Sequence, residues 1–150
     1  MNVAILWLIN EKGEILLSQR AATMTSNAGV WGPSVSGKID EGETAQAAAV
    51  REANEELGII EPELATIQHL HDASHVTSSG ELREFSVFYA EVSSGITDAL
   101  ALEPTEVAAV KWVTFAGLQG ACTQQPETII VSSDKELWKQ VFDNLQAVLP

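Results

Sequence analysis

Cationic side chains are scarce in this chain. Eight lysines and arginines stand against 21 aspartates and glutamates, a formal net charge of −13. That balance speaks against DNA or RNA polymers as ligands, because phosphate contacts need a basic surface. It speaks equally against anionic membranes. A small phosphorylated molecule stays admissible, because a metal ion can screen its charge. Cysteine is nearly missing: Cys122 stands alone, so no internal disulfide forms, and the chain suits a reducing, cytoplasmic setting. Long apolar runs are missing too. Met1 to Ile9 is apolar but has no basic flank and is far too short to cross a bilayer. There is no internal repeat, low-complexity tract or dividing linker. With 150 residues, 45% of them apolar, the expectation is one globular domain spanning 1–150.

What the chain does have is a dense acidic segment from Gly37 to Ile59. Its second half reads as a helix. Thr44 is placed to cap the N-terminus, Ala45, Ala47, Ala48 and Ala49 favour the helical state, and Gly58 sits where a glycine ends a helix. At about 100° per residue, Glu52, Glu55 and Glu56 fall within about 100° of arc. Val50, Ala53 and Leu57 form a separate apolar stripe for the core. Carboxylates at (i, i+3) and (i, i+4) repel one another, and Arg51 offsets only part of that. The simplest use of such a face is a hard divalent cation, which takes several oxygen ligands and shares its coordination with substrate phosphates. Glu43 adds a carboxylate just before the helix, and Gly37 and Gly42 allow the loop to turn tightly.

This segment resembles the Nudix box: glycine, five residues, glutamate, seven residues, then Arg-Glu-apolar-x-Glu-Glu-x-Gly-apolar. Gly37, Glu43, Arg51, Glu52, Ala53, Glu55, Glu56, Gly58 and Ile59 meet it without departure. The resemblance implies an α/β (α+β) fold, the α/β/α sandwich with a mixed β-sheet between helices. It implies hydrolysis of the diphosphate bond in a nucleoside diphosphate linked to a further group, with Mg2+ as cofactor and Mn2+ as an alternative. Glu55 and Glu56 are then the main metal ligands, joined by Glu52 and the Gly37 carbonyl, while Arg51 orients the carboxylates with Glu43. The general base is left open among Glu52, Glu55, Glu84, Glu103 and Glu106, with Glu106 taken as a catalytic candidate. Arg20, Lys38 and Glu84 are assigned to the substrate; for Arg20 a surface salt bridge is an equal alternative to gripping phosphate. A homodimer is the assembly that the resemblance allows. A nucleotide-sensing module without turnover is the competing class of function.

The approach to the box, Asn27-Ala-Gly-Val-Trp31-Gly-Pro-Ser-Val-Ser36-Gly37-Lys38, looks like the isopentenyl-diphosphate isomerase branch. That branch needs a cysteine just before the box glycine and a histidine just after it. Ser36 and Lys38 stand there instead, and a lysine ammonium has no lone pair for a metal. The resemblance therefore argues against isomerase activity.

The remaining elements follow from pattern. Val3–Ile9 reads as a strand buried on both faces, and Glu14–Arg20 as its hairpin partner. Val30–Lys38 is a short strand interrupted at Gly32 and Pro33, with Trp31 as a core or lid residue in preference to a base-stacking one. Leu64–Val76 and Leu82–Val92 make a second hairpin around Ser78-Ser79-Gly80. His69, His71 and His75 share one face of that strand if it is unbroken; substrate contact is a better reading for them than a metal site. Val107–Val113 is a strand, Phe115–Leu118 a helical turn, and 121–127 a polar loop. Ser133 to Glu136 has capping-box spacing for a last helix carrying Leu137, Trp138, Val141, Phe142, Leu145 and Val148.

Overall fold

The structure, a computed structural model, describes residues 1–150. Seven strands form one mixed sheet with helices on both faces. The strands are β1 (Asn2–Ile9), β2 (Ile15–Arg20), β3 (Trp31–Gly32), β4 (Val35–Lys38), β5 (Gln68–Val76), β6 (Leu82–Glu91) and β7 (Val107–Val113). The helices are α1 (Ala45–Leu57), α2 (Phe115–Gln124) and α3 (Lys135–Val148). No helix is long and apolar enough to cross a membrane. Along the sheet the order is β3-β2-β1-β6-β5, with β4 also on β1 and β7 also on β2. The β1–β6 pair is parallel and the others are antiparallel. This is the expected sandwich with its mixed sheet.

Each sheet face has its own core. On one, Ala48, Ala49, Ala53 and Leu57 of α1 pack on Ala4, Leu6, Leu8 and Phe88. The small alanine side chains let helix and sheet approach closely. On the other, Trp138, Val141 and Leu145 of α3 pack on Trp7, Ile9, Leu17 and Val87. β1 is the strand common to both cores, which is why its sequence is apolar almost without interruption.

The first two strands do not make the full hairpin expected of them. Ile9 pairs with Ile15, but the ladder then opens. The buried Ser34 enters the gap: its Oγ accepts from Leu8 N at 2.8 Å and donates to Leu16 O at 2.6 Å. It satisfies the two backbone groups that the next hairpin rung would have paired. The strands diverge from there, β1 to β4 and β6, and β2 to β3 and β7.

Three other local readings are corrected. The helical turn after Thr114 continues to Gln124, so α2 takes in much of the segment read as a loop. Asp134, not Ser133, caps α3: its carboxylate accepts from Leu137 N at 2.9 Å and also binds His75 Nδ1 at 2.7 Å. One side chain thus caps the helix and ties it to β5, which a serine is too short to do. The histidines of β5 do not share a face, because the register shifts between His69 and His71. A bulge reverses the alternation there, leaving His69 against Phe88 and hydrogen-bonded to Asp72.

Candidate functional site

The acidic segment is built as its sequence suggests. Thr44 Oγ1 accepts from Ala47 N at 3.1 Å. Gly58 takes the left-handed conformation at φ 71°, its N–H directed to Ala53 O and Asn54 O; a side chain here would be strained and would meet Ala101. Between these caps the helix presents its carboxylates to β4. Oxygen atoms of Glu52, Glu56 and Glu106 lie within 4.8 Å of one another. Glu106 comes from the turn before β7, so the group joins two distant parts of the chain. Gly37 makes the close approach feasible, since a methyl group there would collide with the Glu52 carboxyl.

Arg51 organises the surroundings. Its guanidinium holds both oxygens of Glu43, Nε to Oε2 at 2.8 Å and Nη2 to Oε1 at 2.9 Å. It also donates to Glu52 Oε1 at 2.8 Å and to the Lys38 carbonyl at 3.0 Å. Helix, loop and strand are thereby fixed by one planar cation. The proton affinities show the strain. Arg51 hydrogen bonds, with help from Asp40 N–H, hold the Glu43 carboxyl down at about 2. Burial, and then the charge on Glu52, pushes Glu56 up to about 8. Burial also raises Glu52, against the pull of Arg51. The guanidinium itself is shifted upward, first by its bonds to Glu43.

Glu55 lies apart from this group. Its side chain is 54% exposed and reaches only Arg51, at 3.4 Å. The face predicted for Glu52, Glu55 and Glu56 therefore divides: Glu52 and Glu56 turn toward Glu106, and Glu55 faces solvent. Glu103 accepts from Thr105 N and Oγ1. Glu84 is exposed on β6 beside Asn2 and Asp72, lining a separate depression.

Glu52, Glu56 and Glu106 line a polar cavity of about 210 Å3 with Arg20, Ser36, Gly37 and Lys38. Arg20 makes no ion pair; its guanidinium donates to Ser26 O at 2.9 Å and to Ser26 Oγ at 3.3 Å. Two cations and three carboxylates thus face one space, which suits a phosphate ester bridged to the acids by a divalent cation. The donor set fits such an ion: all oxygen, anionic, and partly desolvated. Trp31 lines no part of this space and packs its ring under Lys111 Nζ, 4.1 Å from the centroid.

Two features here were not singled out from the sequence. Asp40 joins the Arg51 cluster at 3.5 Å, and nothing but proximity to the box signals it. Ile130 lines the cavity from the segment between α2 and α3. An Ile129-Ile130-Val131 run inside otherwise polar sequence is the cue that marks it.

The NUDIX domain model matches residues 1–130. The chain is 26% identical over 145 residues to an isopentenyl-diphosphate Delta-isomerase of Salmonella agona, covering 93% of this chain and 79% of that protein. Among solved structures, a MutT protein from Methanosarcina mazei superposes with a TM-score of 0.75 at 22% identity, covering 98% of this chain and 93% of the other. A MutT NUDIX hydrolase from Burkholderia pseudomallei superposes with a TM-score of 0.64 at 29% identity, covering 77% and 84% respectively.

Proposed function

The chain belongs to the NUDIX domain family as a Nudix hydrolase, and from that premise we propose that it cleaves the diphosphate bond of a small nucleoside diphosphate derivative or related organic diphosphate, with Mg2+ held by Glu52, Glu56 and Glu106. The observation that carries this is the meeting of three carboxylates from two parts of the chain in a cavity that also holds two cations unpaired with any carboxylate, Arg20 and Lys38. A bound magnesium ion would supply charge neutralisation on the diphosphate and a lowered pKa for its water.

The chain's own groups do the rest. Arg20 and Lys38 bind phosphoryl oxygens and orient the diphosphate along the cavity. Arg51 and Glu43 keep the carboxylates at fixed positions, so little reorganisation is needed as negative charge gathers at phosphorus. A glutamate accepts the proton of the attacking water. Glu55 and Glu106 are the candidates that the geometry supports best: Glu106 is exposed within the acidic group, and Glu55 is exposed at its edge with Arg51 as its one partner. Glu84 lines a separate depression and Glu103 is bonded to Thr105.

The isomerase name of the Salmonella relative is not carried over. Ser36 donates its backbone N–H to Glu56 Oε1 at 3.3 Å, so it lies beside the acidic group, but its hydroxyl is no replacement for a thiol. Purified protein given isopentenyl diphosphate is expected to form no dimethylallyl diphosphate. The main test is a panel of nucleoside diphosphate derivatives with and without magnesium. Magnesium-dependent release of a monophosphate product supports the reading; binding without turnover across the panel overturns it in favour of a nucleotide sensor.

A further inference from the structure

A second cavity, of about 150 Å3, opens on the α3 side of the sheet and shares Arg20, Pro33, Ser36 and Ile130 with the acidic cavity. Its walls are mostly apolar and aromatic, with Trp7 and Phe85 on the sheet and Trp138 on the helix. Yet two donors in its lining have no partner. Trp7 is 1% exposed and its Nε1 is unbonded; Arg83 Nε is buried and likewise unbonded. Arg83 also makes no ion pair. Its strand neighbour His75 is already committed to Asp134 at 2.7 Å.

A buried N–H without a partner is costly, since buried polar groups are ordinarily hydrogen-bonded. The backbone adds an independent sign. Asn27 and Val131 are the two non-glycine residues at positive φ, 52° and 45°, and both line this cavity. For a β-branched residue such as Val131 this conformation is strained, and strain of this kind clusters at ligand-binding sites.

The register fixes the direction of the slot. Ser36 faces Ile5 on β1, and Ile5 faces Val87 on β6, four residues beyond Arg83. Two strand spacings across and four residues along place the backbones of Ser36 and Arg83 about 16 Å apart. The long Arg83 side chain shortens that span from one end. At about 150 Å3 the cavity has room for one planar ring system, with the rest of the substrate running through the shared residues toward the acidic cavity.

We propose that this cavity holds the organic group of the diphosphate substrate, and that Arg83 is a specificity residue selecting a planar ring that carries a carbonyl oxygen. The aromatic walls supply the flat contact. Arg83 and Trp7 offer donors only, so they favour an oxo-substituted base such as guanine over adenine, whose amino group at the equivalent position donates. The inference rests on the hydrolase reading only for placing the diphosphate among the carboxylates.

The test compares guanosine and adenosine methylenediphosphonates, which bind but do not hydrolyse, by titration calorimetry in magnesium. GDP-glucose and ADP-glucose are compared in turnover. Wild type is expected to prefer guanine by tenfold or more, the scale of one hydrogen bond to a charged group. Arg83→Met should bring the ratio near one by raising KM for the guanine substrate while kcat stays within about twofold. Arg83→Lys should restore part of the preference. A guanine preference that survives Arg83→Met in a protein of unchanged melting temperature overturns the assignment, as does a wild type that binds both analogues equally. If wild type cleaves neither substrate yet binds the guanosine analogue more tightly through Arg83, the specificity inference stands and the hydrolase reading is what fails.

Discussion

The two faces of the sheet are built from different chemistry. On the α1 side, small residues bring a helix close, and the space beside it is crowded with charge: three carboxylates, with Glu56 held protonated up to about 8 by burial. On the α3 side the packing is aromatic, Trp7 edge-on to Trp138 at 6.3 Å and Phe115 edge-on to Phe142 at 5.8 Å. The first face concentrates an electrostatic liability that a cation and an anionic substrate would relieve. The second packs large aromatic and aliphatic side chains in place of charge. Charge and aromatic packing are thus divided across one shared strand, β1, and the division is open to test.

The largest expected effect is on turnover. Glu56→Gln keeps the shape of the side chain but weakens the hold on a cation, and a loss of roughly 10²-fold or more in kcat is expected. Glu55→Gln, outside the acidic group, is expected to lose less unless Glu55 is the base. Steady-state kinetics of the two variants on the best panel substrate decide this. A greater loss in Glu55→Gln would mean that the exposed carboxylate, and not the buried one, carries the chemistry. Gly37→Ala should approach the Glu56→Gln loss without any change of charge, because the added methyl displaces the Glu52 carboxyl.

Next in size is stability, and it should fall on the opposite face. Trp138→Ala removes a buried ring packed between Trp7 and Phe142, at a cost of about 3–5 kcal/mol. Chemical denaturation measures that loss. Glu56→Gln, by contrast, should hold or raise the stability of the metal-free protein, because it removes a buried group that must take up a proton on folding at neutral pH. If Glu56→Gln destabilised the metal-free fold as much as Trp138→Ala, the division of labour between the faces would be wrong.

The α1 face was largely legible in the sequence; on the α3 face the helix and its apolar side were legible and the cavity beside it was not. Helix α1 announces itself through local signals: Thr44, the alanines, Gly58 and the spacing of Arg51 with its glutamates. Each acts within a few residues of itself, so the pattern survives without knowledge of the fold. What the helical wheel could not supply was the third dimension. It put Glu52, Glu55 and Glu56 on one arc, but Glu106, from fifty residues further on, determines which side of that arc is closed in. The Ser34 wedge between β1 and β2 depends on a contact across 26 positions, so local pairing rules predicted a full hairpin. The α3-side cavity is assembled from β1, β6, α3 and the 129–131 segment. None of its residues is unusual alone; Arg83 becomes conspicuous only when its Nε is seen to be buried without a partner.

The smallest effect, and the one that bears most directly on the acidic face, is the pH dependence of the metal-free protein. Glu56 holds its proton up to about 8, against an ordinary value of 4.5. Between those values the folded protein binds more protons than the unfolded chain, so stability falls as pH rises through that window. Glu52 is shifted the same way. Glu43 acts in the opposite sense: held at about 2, it contributes stability above its ordinary value that is lost as pH falls toward 2. Together these groups place the best metal-free stability near the ordinary carboxylate range, below neutrality. Melting temperatures in chelator from pH 5 to 8 should therefore decline in wild type and flatten in Glu56→Gln. Magnesium should reverse the decline, because a cation competes with the proton for the same oxygens and gains most where the carboxylates would otherwise repel. The magnesium-induced rise in melting temperature should thus be larger at pH 8 than at pH 5.5 in wild type, and small at both in Glu56→Gln. An undiminished pH slope in Glu56→Gln, or a magnesium shift of equal size in both proteins, would place the responsible groups somewhere other than the α1 face.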